Sequence, residues 1–152
     1  MCCKRDDKLT KRYQKRKRRF SAWKVWCRGS RSLFSTRHHA RPGGRVTEPR
    51  RIVSSRARKR WRKDKKDLVY AGIHWFVSRE VAEEEAQRMR YHGHCTVAVR
   101  VMVDPADVVA VGDLWFNDGR SELTDGLGQT FRVGVSTTVE LLPKDWKKAM
   151  GN

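Results

Sequence analysis

The sequence lacks the signs of a secreted or membrane-spanning protein. Its four cysteines, Cys2, Cys3, Cys27 and Cys95, do not have the spacing of a disulfide framework. No segment resembles the apolar core of a signal peptide, and no run approaches the ~18 apolar residues that a bilayer crossing requires. We therefore expect an intracellular, reducing setting.

The signatures of common enzyme classes are also missing. The chain contains no GxSxG elbow, HExxH pair, phosphate-binding glycine loop or GxGxxG fingerprint. The cluster of metal-ligand type, residues 92–95 (His-Gly-His-Cys), has neither a CxxC motif nor a second histidine pair to complete four zinc ligands. We therefore predict no metal site and no cofactor, and we favour a binding protein over an enzyme.

Positive charge is abundant and unevenly distributed. Residues 1–66 contain 26 Lys and Arg against 4 Asp and Glu, a net charge of +22, whereas residues 67–152 have a net charge of −4. This asymmetry is typical of a protein that binds a polyanion, nucleic acid above all. An acidic protein, a membrane surface or a merely solubilising tail are the other interpretations.

The first basic segment is residues 1–19. It has few apolar residues to offset the entropy of ordering, so we predict a disordered basic arm. Such an arm contacts phosphates without reading base sequence. Its densest cations are Lys15, Arg16, Lys17, Arg18 and Arg19.

The second basic segment, residues 50–66, interrupts the predicted domain as an insertion. Trp61 lies within it and either stacks on an unpaired base or packs against the domain. We predict a loop here, or a helix that forms on binding. The candidate nucleic-acid-binding residues are Arg56, Arg58, Lys59, Arg60, Trp61, Arg62 and Lys63.

The central stretch runs from Leu68 to Gly93. Residues 68–77 are almost continuously apolar and predict one strand covered on both faces. Ser78 is a natural N-cap, and a helix is predicted over residues 79–91, ending before Gly93.

The remaining segments predict a sheet. Residues 20–27, 95–103, 108–111 and 129–142 have strand composition, and Asn-Asp-Gly at 117–119 predicts a hairpin turn. We predict an α+β fold, a mainly antiparallel sheet with one principal helix. It would form a single domain over residues 20–143, with residues 144–152 as a C-terminal tail.

Parts of the sequence resemble small domains that are common in bacteriophage genomes, some of them called RIIB-like. The resemblance rests on residues 22–25 (Ala-Trp-Lys-Val), residues 72–82 (Gly-Ile-His-Trp-Phe-Val-Ser-Arg-Glu-Val-Ala), residues 101–111, residues 130–133 and residues 139–142. It implies a phage accessory protein located in the host cytoplasm or the virion.

A second resemblance is to the split sheet of ADP-ribosyltransferases. In that family a strand of type G-I-Y-F-x-x-S leads into a helix, and a late strand carries a catalytic glutamate. Ser78 matches the Ser/Thr motif, Glu140 the glutamate, and His74 replaces the usual tyrosine. The first NAD-binding motif has no counterpart near Trp23. This resemblance implies NAD as an alternative cofactor and His74, Ser78 and Glu140 as alternative catalytic residues.

His74 also has two interpretations that do not depend on a family. It is either a hydrogen-bonded histidine beneath the helix or a polar group in a cleft with Trp115 or Glu140.

Three functional hypotheses remain. The chain is a nucleic-acid-binding module that slightly favours RNA or single strands, an ADP-ribosyltransferase-like modifier, or a virion or inhibitor protein that docks on an acidic partner.

Overall fold

A computed structural model gives the positions of three helices and eleven strands in the described part of the chain. It describes residues 2–28, 32–34, 42–47, 50–53, 68–69, 72–91, 93, 95–115 and 131–151. The helices are α1 (Asp7–Gln14), α2 (Arg79–Tyr91) and α3 (Pro143–Met150). The strands are β1 (Cys2–Arg5), β2 (Phe20–Cys27), β3 (Ser32–Phe34), β4 (Pro42–Thr47), β5 (Arg51–Val53), β6 (Leu68–Val69), β7 (Ile73–Phe76), β8 (Thr96–Val103), β9 (Val108–Trp115), β10 (Arg132–Ser136) and β11 (Thr138–Glu140).

The strands form one sheet in the order β3-β4-β5-β11-β8-β2-β7-β10-β9-β1-β6. Its strand pairs are antiparallel, and the longest runs from Phe20↔Val103 to Cys27↔Thr96 between β2 and β8. The predicted α+β class is therefore confirmed. The principal helix spans residues 79–91, as predicted.

The sheet separates two hydrophobic clusters because successive strand residues point to opposite faces. On β2, Ala22 and Trp26 enter the first cluster, whereas Trp23 and Val25 enter the second. Helices α1 and α3 pack on the first cluster, and α2 packs on the second. The sheet is thus covered on both faces.

Helix α2 has the boundaries that its sequence indicates. The Ser78 hydroxyl accepts a hydrogen bond from the Val81 amide at 3.4 Å, as an N-cap does. Gly93 follows the helix with a φ of +89° that favours glycine. The buried side of the helix contains Ala82, Ala86 and Met89 together with Glu85.

The prediction of a disordered arm over residues 1–19 is wrong. Strand β1 lies between β9 and β6, and α1 packs on the first cluster. Cys3 and Thr10 are fully buried, and the Thr10 hydroxyl exchanges hydrogen bonds with the Val111 carbonyl and amide. A few well-placed contacts, rather than a high apolar content, hold this segment.

The prediction of one strand over residues 68–77 is also wrong. β6 pairs with β1, whereas β7 pairs with β10 and β2 elsewhere in the sheet. Gly72 lies between them with a φ of +129°, a conformation that breaks an extended strand. All four residues of β7 are buried, as expected for a strand that is covered on both faces.

Two further boundaries differ from the predictions. Residues 51–53 of the predicted insertion form strand β5, which pairs with β11 and β4. The predicted tail is helix α3, which places Trp146 edge-on to Trp26 with ring centroids 6.4 Å apart. Residues 54–67 and the predicted turn at 117–119 lie outside the described residues.

Candidate functional site

A row of exposed cations follows one side of α1. Lys8, Lys11, Arg12 and Lys15 are spaced at i, i+3, i+4 and i+7, which places them on one face of a helix. Thr10 and Tyr13, which are buried, lie on the opposite side. The row is about 10 Å long at 1.5 Å per residue, and the exposed Lys17 and Arg18 follow it in the turn to β2. We call these six residues the basic surface.

Contacts with β9 fix the helix that carries this surface. The Asp6 carboxylate accepts a hydrogen bond from the Leu9 amide at 2.9 Å and caps the helix. Arg5 donates to the Val109 carbonyl at 2.7 Å, and Gln14 donates to the Val108 carbonyl at 2.9 Å. The basic surface therefore has a defined orientation.

Two predicted binding residues, Arg16 and Arg19, are engaged within the fold. The Arg16 guanidinium lies 4.1 Å from the ring centroid of Tyr13 and 4.9 Å from that of Phe20. Arg19 forms an ion pair with Glu140 at 3.2 Å, with both side chains well exposed. Such an exposed pair is weak, so Arg19 can exchange Glu140 for another anion.

The six cations of the basic surface form no ion pair with any carboxylate that the structure describes. Nearby carboxylates are already engaged: Asp7 pairs with Arg5, and Asp6 caps the helix. Helix α3 adds three exposed lysines that are likewise unpaired among the described residues: Lys144, Lys147 and Lys148. Much positive charge is thus left without a counter-charge from the part of the chain that the structure describes.

Lys24 and His74 form a buried polar pair in the sheet. The Lys24 ammonium donates to the His74 carbonyl at 2.8 Å, and burial lowers the pKa of Lys24 to about 7. His74 Nε2 lies 3.1 Å from the Val69 carbonyl, whereas Nδ1 is buried and has no hydrogen-bond partner among the described residues. Burial, followed by the Lys24 charge, lowers the pKa of His74 to about 4. His74 is therefore a buried residue of β7, and strands β2 and β8 lie between β7 and the strand of Glu140.

The alternative catalytic residues are not gathered at one point. His74 is 2% exposed, Ser78 caps α2 and bonds Glu80, and Glu140 is paired with Arg19. Strands β8 and β2 separate β11 from β7, which puts Glu140 about three strand spacings, or ~14 Å, from β7.

The structure describes part of the predicted nucleic-acid-binding set. Residues 15–19 are described and exposed, whereas the second basic block lies outside the described residues. The predictions that remain untested for this reason concern Arg56, Arg58, Lys59, Arg60, Trp61, Arg62 and Lys63.

Lys8, Lys11 and Arg12 were not identified as individual site residues from the sequence. The available signal was the pair Leu9 and Tyr13, four residues apart behind a capping aspartate, which indicates a helix with the cations on its outer side.

Other kinds of site gain no support within the described residues. No three His, Cys, Asp or Glu side chains there come close enough to hold a metal ion. None of the helices described combines the length and the apolar character needed to cross a membrane.

Comparisons with protein-family models, with curated proteins and with solved structures each find no match to this chain. The resemblances to phage domains and to ADP-ribosyltransferases therefore stay predictions.

Proposed function

We propose that this protein binds nucleic acid through contacts between the basic surface and backbone phosphates. The observation that carries the proposal is the cation row on α1, which is fixed to the sheet and unpaired among the described residues. Because the helix is already folded, binding costs less ordering entropy than a disordered arm would require.

The spacing of the cations supports a polyanion with regularly repeated charge. The ~10 Å row equals the rise of about three base pairs along the axis of a DNA duplex, at ~3.4 Å per base pair. Lys17, Arg18 and the exchangeable Arg19 continue the charge beyond the end of the helix. An isolated acidic side chain on a protein would use only a small part of such a row.

Salt dependence tests the proposal. We expect affinity for a 20-nucleotide single strand and for a 20-base-pair duplex to fall steeply between 50 and 200 mM salt. A six-site variant with Gln at Lys8, Lys11, Arg12, Lys15, Lys17 and Arg18 should bind roughly a hundredfold more weakly at 100 mM salt. Its slope against log salt should be shallower by about four for the single strand and about five for the duplex, since each phosphate contact contributes ~0.7 and ~0.9 respectively.

The matched control compares two cations removed from each helix. Lys8→Gln with Lys11→Gln should weaken binding, whereas Arg88→Gln with Arg90→Gln on α2 should change it less than about twofold. Equal losses in the two double variants, or a wild-type affinity that is independent of salt, would contradict the proposal. Circular dichroism checks that each variant is folded.

For the setting we propose the cytoplasm of the host cell or the virion, following the phage resemblance. We make no proposal of transferase chemistry, because Glu140 lies about 14 Å from β7 and is paired with Arg19.

A further inference from the structure

A groove of about 590 Å³ is lined by residues of α2 and α3, which pack on opposite faces of the sheet, and by residues of β2 and β8. Its floor contains Trp23 from β2 and Ala98 from β8, both turned toward the second hydrophobic cluster. The first turns of α2 contribute Arg79 to one wall, and α3 contributes lysines to the other. The groove is therefore aromatic at its base and charged along its sides.

The α3 wall carries excess positive charge. The two carboxylates that line the groove are already paired, Glu83 with Arg79 at 2.9 Å and Asp145 with Arg100 at 3.1 Å. The three remaining cations, spaced at i, i+3 and i+4 on α3, form no ion pair with a described residue; they are Lys144, Lys147 and Lys148. An anion would find positive charge there that the described carboxylates do not neutralise.

Trp23 gives the groove a second binding element. Its indole is half-buried, so part of it remains open to the groove while the rest packs on the second cluster. A flat aromatic surface beside a row of cations is the combination that binds single-stranded nucleic acid, with a base on the ring and phosphates along the cations.

We propose that this groove binds an unpaired nucleotide of a single strand, with its base stacked on Trp23 and its phosphates beside the α3 lysines. The inference rests on the proposed function and names the ligand class, single-stranded rather than duplex nucleic acid. The volume is within the ~300–1,000 Å³ typical of ligand sites, and bases inside a duplex have no free face to offer.

The test compares Trp23→Leu with Phe131→Leu, a control at a half-buried aromatic residue of the same cluster outside the groove. Anisotropy titrations would use a labelled 12-nucleotide oligo(dT) and a 12-base-pair duplex. Trp23→Leu should weaken oligo(dT) binding between about fivefold and a hundredfold and leave duplex binding and the salt slopes unchanged. Phe131→Leu should leave both affinities unchanged.

A separate measurement tests the phosphate contacts of the α3 lysines. A triple variant with Gln at Lys144, Lys147 and Lys148 should bind oligo(dT) with a shallower slope of log affinity against log salt. The slope should change by about two, because each single-strand phosphate contact contributes ~0.7. An unchanged slope would overturn the assignment of phosphates to this wall.

A crosslinking measurement on the wild-type protein does not depend on the folding of any variant. A 12-nucleotide strand with 5-bromouracil should crosslink to the tryptic peptide that contains Trp23, and crosslinks confined to other peptides would overturn the proposal. Competition of oligo(dT) by a 12-residue polyglutamate at equal charge would instead assign the groove to an acidic peptide.

These outcomes separate the two proposals. If the wild-type protein shows steep salt dependence and Trp23→Leu binds oligo(dT) normally, the groove proposal is contradicted and the proposed function stands. Failure of the wild-type protein to bind either nucleic acid would remove both.

Discussion

Helices α1 and α2 lie on opposite faces of one sheet and differ in whether their cations are paired. On α2 two of the three arginines pair within the helix, Arg79 with Glu83 and Arg88 with Glu85, and Arg90 donates to the Thr96 carbonyl. On α1 the exposed cations occupy one side, and the nearby carboxylates cap the helix or pair with β1. Within the described ranges, the arginines of α2 therefore have partners, whereas the exposed cations of α1 form no ion pair.

This difference changes the meaning of the charge asymmetry in the sequence. A net charge of +22 over residues 1–66 suggests an appendage, yet its described N-terminal part is a strand and a helix of the fold. The described asymmetry is thus between two helices on opposite faces of a shared sheet, and the sheet gives the cations a fixed orientation.

The largest expected effect contrasts a tyrosine on each helix. Tyr13 of α1 is 8% exposed and lies near Phe20 and Trp75, whereas Tyr91 of α2 is 88% exposed. Tyr13→Ala should lower the free energy of unfolding by about 3 kcal/mol, and Tyr91→Ala by less than about 1 kcal/mol. Urea denaturation measures both; equal costs would mean that α1 is not docked as described.

The next effect concerns Lys24, which is buried in the sheet, unlike the exposed cations of α1. Burial lowers the pKa of Lys24 to about 7 in the folded protein, against 10.5 in the unfolded chain. Between these two pH values the unfolded chain holds a proton that the folded protein has lost, so the free energy of unfolding should rise with pH. Lys24→Met removes this titration. The gap, the variant's free energy of unfolding minus that of wild type, should fall by about 3 kcal/mol from pH 7 to pH 10. A gap that stays constant in urea denaturation from pH 7 to 10 would contradict this.

The smallest effect contrasts the two N-caps. Asp6 accepts from the Leu9 amide at 2.9 Å, and Ser78 accepts from the Val81 amide at a longer 3.4 Å. Asp6→Ala should cost about 1 kcal/mol and Ser78→Ala about half of that. Thermal denaturation followed by circular dichroism would rank them, and the reverse order would show that cap geometry does not decide these costs.

Local patterns in the sequence were sufficient for α2 and the alternating strands. Ser78, the apolar spacing of Ala82, Ala86 and Met89, and Gly93 act over a few residues, so periodicity reveals them. The placement of β1 and α1 depends on Thr10 bonding to Val111, about a hundred residues away. Composition alone cannot reveal such a contact, and charge density there suggested disorder instead.

The candidate site, like the fold, could be predicted from the sequence only in part. The exposed cations of residues 15–19 were identified from charge density alone. The groove could not be predicted, because its floor comes from β2 and β8 and its walls from α2 and α3. The residues that meet there come from positions 23 to 148, and the strand register brings Trp23 opposite Arg100.

The most direct test of a phosphate-binding surface on α1 is a backbone-amide NMR titration of the full chain at 50 mM salt with a 12-base-pair duplex, whose bases are not free to stack on Trp23. We predict chemical-shift changes concentrated in residues 7–19, with the amides on the C-terminal half of α2, residues 85–91, unchanged, and reversal of the changes at 500 mM salt. Changes concentrated on residues 85–91, or an absence of changes in residues 7–19 at saturation, would contradict the account.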